Sequence, residues 1–288
     1  MSRRWHSHKV SRPIPFALAI AAIAIGGCEA QGAELNDALV TLGLSDPEPL
    51  PARTIDVLVD GTPGSPGGSL PLVVEEVELA ARAIEERPGS RLRMWTLATA
   101  TNEAQVRFER TVPERTGSVG RGSQTTFAAD IAAELGTELE PALADAAEAR
   151  TSPIAASIDR VLLADAVGER LLIVIGDGRE RAAGLNLECG RVWTRRFRSS
   201  LDRRGILPED SLREPFVRIE FARFAMERLR GRSCRATVAR ERAIREVWTA
   251  LLTDAGAASV AFRSGHAELD FEPAQSDAPR AEDEQEDE

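Results

Sequence analysis

Short apolar runs alternate with amphipathic segments along most of the chain. Residues 55–59 and 171–176 form two nearly continuous apolar runs, which lead into Asp60-Gly and Asp177-Gly. A run of this kind is typical of a strand that is buried on both faces of a parallel sheet. In open α/β sheets, ligands bind outside the carboxyl ends of the strands. We therefore expect both aspartates at the ligand-binding edge of one sheet.

The other periodic segments predict further strands and helices in alternation. The pattern predicts strands at 91–98, 105–110 (at a sheet edge), 216–221 and 258–262, and helices at 70–87, 125–143 (interrupted near Gly136), 151–165 and 237–255. Residues 216–221 could instead begin a helix that continues to 229. Strands that alternate with helices predict a mostly parallel, open α/β sheet with helices on both faces.

The first 28 residues have the pattern of an export signal. A basic segment precedes an apolar run at residues 14–25, which is shorter than the roughly 20 residues that a membrane span needs. The run ends Ile25-Gly-Gly-Cys28 and resembles a bacterial lipobox. That resemblance implies cleavage before Cys28, lipidation of its thiol, and an anchor in the bacterial cell envelope that faces the periplasm or the exterior. The alternative is an ordinary signal peptide with an incidental cysteine.

These segments divide the chain into four parts. Residues 1–27 form the signal peptide, 28–52 an acidic, proline-rich tether, and 53–265 an α/β domain with an insertion at about 179–215. Residues 266–288 form an acidic tail with the composition of a disordered segment. The net charge of −10 gives no basic surface for nucleic acid, so we expect no nucleic-acid partner.

Two cysteines remain once Cys28 is set aside. Cys189 and Cys234 form an even pair in a chain with an export signal, and we expect a disulfide between them. The alternative is two unpaired buried thiols. Because the chain has no Cys-x-x-Cys motif and no Cys/His cluster, a zinc site is not expected.

The order of these elements and of their polar residues resembles a von Willebrand factor type A (VWA) domain over residues 53–263. The resemblance implies a Rossmann-like three-layer sandwich with a metal-ion-dependent adhesion site. That site takes Asp-x-Ser-x-Ser after the first strand, a threonine before a later helix and an aspartate after the fourth strand. The positions that correspond in this chain are Asp60, Thr62, Ser65, Thr151, Ser152 and Asp177.

The first motif departs from the family pattern. Thr62 replaces the first serine, Gly64 stands at the second, and Ser65 is the next hydroxyl. Carboxylate and hydroxyl oxygens suit Mg²⁺ or a similar divalent cation. The resemblance implies a binding protein rather than an enzyme, with an acidic group of a partner protein as the last ligand.

Two alternatives remain open at this point. In the first, the domain is a metal-free structural module, in which Asp60 caps a turn and Thr151 or Ser152 caps a helix. In the second, the Asp60-Gly-Thr and Gly-Asp177-Gly motifs resemble haloacid-dehalogenase-type phosphatases. Those enzymes place a nucleophilic aspartate two residues before Asp60, where this chain has Leu58.

Overall fold

The structure, a computed structural model, describes residues 49–97, 104–114, 127–148, 151–182, 185–187, 194–212, 216–224 and 238–269. Its strands are β1 (Arg53–Val59), β2 (Arg91–Leu97), β3 (Ala104–Thr111), β4 (Glu169–Ile175), β5 (Arg181–Ala182), β6 (Leu185–Asn186), β7 (Val217–Ala222) and β8 (Ser259–Phe262). Its α-helices are α1 (Leu70–Ile84), α2 (Phe127–Ala147), α3 (Ile154–Leu163), α4 (Thr194–Asp202) and α5 (Val238–Asp254). A 3₁₀ turn at Pro66–Gly68 precedes α1.

Six strands form one sheet in the order β3-β2-β1-β4-β7-β8. All neighbours are parallel except β3, which runs antiparallel to β2 at one edge. In the pairing of β1 with β4, Val59 lies opposite Ile175, so the two strands end side by side. The predicted α/β fold class is confirmed, and so is the edge position of the strand predicted at 105–110.

Helices cover both faces of the sheet. Helices α1 and α2 pack on one face, over a core that includes Ile55, Val57, Val77, Leu135 and Ile173. Helices α3, α4 and α5 pack on the other face, over a core that includes Leu58, Ile158, Val174, Phe197 and Trp248. The alternation of side chains along β1 therefore fills two separate cores, as expected for a strand at the centre of a three-layer domain.

Three helices differ from their predicted bounds by three residues or more, one of them α3, which spans Ile154–Leu163 instead of the predicted 151–165. Helix α2 passes through Gly136 without interruption and continues beyond Pro141 to Ala147. A glycine in a helix interior costs only about 1 kcal/mol, whereas the helix buries an apolar face that includes Leu135 and Leu139. Helix α1 ends at Ile84, short of the predicted 87, because the residue before a proline disfavours helical backbone and Pro88 follows.

Other predicted elements lie where expected. The strand β7 occupies 217–222, which decides between the two interpretations of that segment in favour of the strand. Gly256 follows α5 with a φ of +105°, a conformation that suits glycine and ends the helix. Within the predicted insertion, the described residues form the β5–β6 hairpin and α4. Among the described helices, none combines the length and the apolar character that a membrane span requires.

A buried ion network lies within the sheet, at the start of β1. Asp56 is fully buried and lies opposite Arg93 in the register of β1 and β2. Its Oδ1 accepts hydrogen bonds from Arg93 Nε at 2.7 Å and Trp95 Nε1 at 2.8 Å. Its Oδ2 accepts from Arg93 Nη2 at 3.1 Å and Arg170 Nε at 2.8 Å. One carboxylate thus holds two buried guanidinium groups together across three strands.

Candidate functional site at the carboxyl end of the sheet

Asp60 is the centre of the polar cluster at the carboxyl end of β1. Its backbone N–H donates to Ile175 O at 3.0 Å, which extends the pairing of β1 with β4 to the strand tips. Its Oδ1 accepts hydrogen bonds from the Thr62 amide at 3.1 Å and from Thr62 Oγ1 at 2.7 Å. Its Oδ2 accepts from Ser152 Oγ at 3.1 Å. The carboxylate of Asp60 therefore connects the end of β1 to Ser152, which lies 92 positions further along the chain.

Ser65 contributes a hydroxyl that forms no hydrogen bond with any residue in the described part of the chain. The residue is 8% exposed, and its Oγ is buried without a hydrogen-bond partner. A Cβ placed on Gly176 would lie 3.5 Å from Asp60 Oδ2 and 3.6 Å from Ser65 Oγ. Both oxygens therefore face the same space beside Gly176. A buried hydroxyl without a partner usually has a bound ligand, ion or water to satisfy it.

Ser152 reaches the cluster through the segment that precedes α3. Its backbone pairs with Arg181, with N–H···O distances of 2.9 Å in both directions. This short antiparallel bridge fixes Ser152 beside the end of β4. Helix α3 begins at Ile154, and its N-cap residue is Pro153, so the alternative in which Ser152 caps the helix is wrong. The neighbouring Thr151 is partly exposed, and it is Ser152 that bonds to Asp60.

Asp177 lies at the tip of β4 and is paired with Arg179. The Arg179 amide donates to Asp177 Oδ1 at 3.0 Å, and the Arg179 guanidinium contacts Asp177 Oδ2 through Nε and Nη2. Both side chains are buried, each with 3% of the side chain exposed. Gly178, between them, has a φ of +67°, and its carbonyl accepts a hydrogen bond from Trp248 Nε1 at 2.8 Å. A guanidinium is thus built into the acidic end of the sheet.

Glu180 caps helix α3 from outside the helix. Its Oε2 accepts a hydrogen bond from the Ala155 amide at 2.8 Å, where the N-terminal amides of a helix need acceptors. Its Oε1 is buried without a hydrogen-bond partner. Burial, with a smaller contribution from the negative charge of Asp60, raises the pKa of Glu180 to about 8, and the hydrogen bond from the Ala155 amide only partly opposes this shift. At neutral pH this buried carboxyl group therefore carries a proton.

Two buried carboxyl groups, those of Asp60 and Asp177, lie close together at this site, and both burial and their mutual repulsion disfavour the ionised form of Asp60. Burial raises the pKa of Asp60 from 3.8 to about 6, and repulsion from Asp177 adds to the shift. Hydrogen bonds from Thr62 and Ser152 oppose the shift but do not cancel it. Both causes would be relieved by a cation held between the two carboxylates.

Four of the six predicted site residues meet at this edge by direct contact or shared space: Asp60, Thr62, Ser65 and Ser152. Asp177 is close enough to raise the pKa of Asp60 but uses both oxygens on Arg179. The cysteines of the predicted lipidation site and disulfide, Cys28, Cys189 and Cys234, lie outside the described residues.

Sequence reasoning missed Arg179 and Glu180 as parts of the site. A usable signal was present, because two charged residues directly follow the turn after a buried strand. Residues that directly follow a strand lie at the edge of the sheet where the strand ends, which is where ligands bind in open α/β sheets. His266 lies outside the site and contacts Glu75 and Glu76 of α1.

The donor set of this site is mostly hydroxyl and carboxylate oxygen. Within the described ranges, the structure has no group of three or more His, Cys, Asp and Glu side chains arranged around a common point for a metal. A Mg²⁺ site does not require three such side chains, because Mg²⁺ is bound through one or two carboxylates and completes its coordination shell with other oxygens. The two carboxylates and three hydroxyls of this site are compatible with that pattern.

Comparison with protein-family models gives no match for this chain, and comparison with curated proteins gives none either.

Proposed function

We propose that this protein is a lipoprotein of the bacterial cell envelope, held to a membrane through Cys28, whose α/β domain binds a partner protein. The binding surface is the carboxyl end of the sheet, around Asp60. A divalent cation, Mg²⁺ or a similar ion, is bound there and takes an acidic group of the partner as an additional ligand. The proposal assigns the domain a role in adhesion or assembly rather than in catalysis.

The observation that carries the proposal is the convergence on Asp60. Thr62, Ser65 and Ser152 come from two distant segments, and all three place hydroxyl oxygens around or beside one carboxylate. The unpartnered Ser65 Oγ is the clearest sign of a ligand, since a buried hydroxyl without a partner costs about 1–3 kcal/mol.

The order of elements supports the resemblance to a VWA domain. Asp60 follows the first strand, Ser152 precedes a helix that begins with Pro-Ile, and Asp177 follows the strand beside the first one. These are the positions on which the resemblance to the adhesion site depends. The departure at Gly64 remains, and Ser65 is the hydroxyl that stands in for the missing serine.

The residues fit a hard cation. Five side chains of the site offer oxygen, namely those of Asp60, Thr62, Ser65, Ser152 and Asp177, and the raised pKa of Asp60 reflects charge that a cation would neutralise. When bound, such an ion supplies a positive centre that can hold a carboxylate of a partner. The protein's own residues position that centre and keep it at the edge of the sheet.

The second candidate function is a structural envelope module that binds no metal. It is favoured by the pairing of Asp177 with Arg179, which already gives one carboxylate a buried counter-charge. Asp60 and Ser152 are each only 1% exposed, as expected for residues that stabilise a loop. In this candidate, the hydroxyl cluster holds the segment before α3 against the sheet.

A phosphatase-type function has less support. Leu58, at the position where those enzymes have the nucleophile, is 1% exposed and packs in the core beneath α3. A phosphoryl-transfer mechanism through this position would need a carboxylate that the chain does not have there.

Calorimetric titration of Mg²⁺ and Mn²⁺ into the full chain in mild detergent separates the two candidates. We expect saturable binding that is abolished in Asp60→Ala and in Asp177→Ala. The matched control is Glu78→Ala, which removes an exposed carboxylate that pairs with Arg82 on α1 and should leave binding unchanged. A folded wild-type chain that binds neither ion would refute the metal mechanism and leave the structural module.

A further inference from the structure

Arg179 occupies both oxygens of the second carboxylate of the site. Its amide bonds Asp177 Oδ1 at 3.0 Å, and its guanidinium contacts Asp177 Oδ2 through two nitrogens. The side chain is 3% exposed, so this contact is shielded from solvent. A hydrogen bond between a guanidinium and a carboxylate is assisted by charge and is roughly twice as strong as one between neutral groups.

The rest of the site is arranged differently from Asp177. Among the described residues, the donors to the Asp60 carboxylate are all neutral: the Thr62 amide and the hydroxyls of Thr62 and Ser152. Ser65 Oγ, buried and without a partner, faces the same space as Asp60 Oδ2. The side of the site with Asp60 and Ser65 can therefore accept a cation. On the other side, Asp177 is already paired with the positive charge of Arg179.

We infer that Arg179 competes with the divalent cation for Asp177 and thereby sets the metal affinity of the site. This inference rests on the proposed function and adds a regulatory residue to it. A divalent ion that is bound by Asp60 and Asp177 needs an Asp177 oxygen that Arg179 now holds. Arginine does not lose its proton in proteins, so its charge can leave the site only if the side chain moves.

The competition has a measurable consequence in affinity. A fixed positive charge beside a ligand carboxylate opposes the approach of a second cation, whereas a neutral side chain of similar length does not. A charge within about 4–6 Å shifts a charge-dependent equilibrium by roughly 1–3 powers of ten. We therefore expect Arg179→Gln to bind Mg²⁺ and Mn²⁺ at least about tenfold more tightly than the wild-type chain.

The experiment is calorimetric titration of both ions into the full chain in mild detergent, with three variants beside the wild type. Arg179→Gln removes the charge, and Arg179→Lys keeps the charge but has one nitrogen in place of the two that contact Asp177 Oδ2. The matched control, Arg82→Gln, removes an arginine that pairs with Glu78 on the surface of α1. We expect the affinity to rise most in Arg179→Gln, less in Arg179→Lys, and not at all in Arg82→Gln.

A second measurement covers the case in which Arg179→Gln folds poorly. Because this variant leaves Asp177 buried without its counter-charge, its melting temperature should fall without added metal and recover with Mg²⁺. The double variant Arg179→Gln with Asp60→Ala should not recover. If Arg179→Gln fails to fold in either condition, the affinity of Arg179→Lys against the wild type provides the same comparison.

The outcomes separate the inference from the function on which it rests. Tighter binding by Arg179→Gln, or recovery of its melting temperature by Mg²⁺, supports competition. Equal saturable affinity of the wild type and both Arg179 variants overturns competition and leaves the cation site in place. No binding by any folded variant overturns the cation site and the inference together.

Discussion

Asp56 offers a strong test of how buried charge contributes to this fold. Its carboxylate is fully buried and accepts four hydrogen bonds, three of them from the guanidinium groups of Arg93 and Arg170. Both arginine side chains are 3% exposed. Arg170 also donates to the carbonyls of Leu162 and Ala164 at the end of α3. The only formal negative charge that is buried beside the two guanidinium groups in the described part of the chain is that of Asp56.

The change Asp56→Asn keeps the shape of the side chain and removes this charge. Removal of one partner from a buried ion pair costs about 3–5 kcal/mol, because the remaining charge stays buried without compensation. Here two buried guanidinium charges are left, although Arg93 keeps a long contact of 3.7 Å with the exposed carboxylate of Asp165. We therefore expect a loss at the upper end, about 4–5 kcal/mol. That is a large part of the roughly 5–15 kcal/mol by which a domain is stable.

The change Arg93→Met should cost less than Asp56→Asn. It leaves one carboxylate facing one guanidinium, Asp56 with Arg170, so the buried charges are balanced. A count of hydrogen bonds gives the same order, because Arg93→Met loses two of them and Asp56→Asn loses four. Only the balance of buried charge predicts that the double variant, with one uncompensated guanidinium instead of two, is more stable than Asp56→Asn alone.

The assay is urea unfolding, followed by tryptophan fluorescence and far-UV circular dichroism. With a slope of about 2 kcal/mol per molar urea, Asp56→Asn should lower the midpoint by about 2 M. The control Glu78→Gln breaks an exposed pair with Arg82 and should cost no more than about 0.5 kcal/mol. A loss below about 1 kcal/mol for Asp56→Asn, or a larger loss for Arg93→Met, would refute the reasoning. The double variant Asp56→Asn with Arg93→Met should be more stable than Asp56→Asn alone.

Two further predictions concern the buried acid beside the site and the membrane anchor. Burial raises the pKa of Glu180 from 4.5 to about 8, so the folded protein keeps a proton that the unfolded chain loses between those values. This group's contribution to the free energy of unfolding is therefore complete below about pH 4.5 and is lost as the pH rises to about 8, by on the order of a few kcal/mol. The difference in urea midpoint between Glu180→Gln and wild type should grow in favour of the variant from pH 5 to pH 9, and a constant difference would contradict the assignment. If Cys28 carries the lipid, labelled palmitate should be incorporated by wild-type cells and not by Cys28→Ser, with Cys189→Ser as the control that keeps the label.

The strand positions could be predicted from the sequence because a strand that is buried on both faces consists of a continuous run of apolar residues. An apolar run that ends in Asp-Gly is a strand whose tip lies at an edge, and Asp60 and Asp177 follow from this pattern alone. Helix ends were less predictable. Gly136 predicted an interruption of α2, but the helix continues because its apolar face is buried against α1 and the sheet.

The sequence by itself determined that two carboxylates would lie at one edge of a parallel sheet. Both follow the carboxyl end of a strand, and parallel strands end at the same edge. Only the tertiary structure decided the partners of those carboxylates. The pairing of β1 with β2 places Asp56 opposite Arg93, and the bridge between Ser152 and Arg181 brings a hydroxyl to Asp60 from 92 residues away. Register and long-range bridges depend on the packing of both cores at once, and no local pattern of residues encodes them. The same packing directs Arg179 back onto Asp177 and buries Glu180 under α3, so it determines the charge of the site.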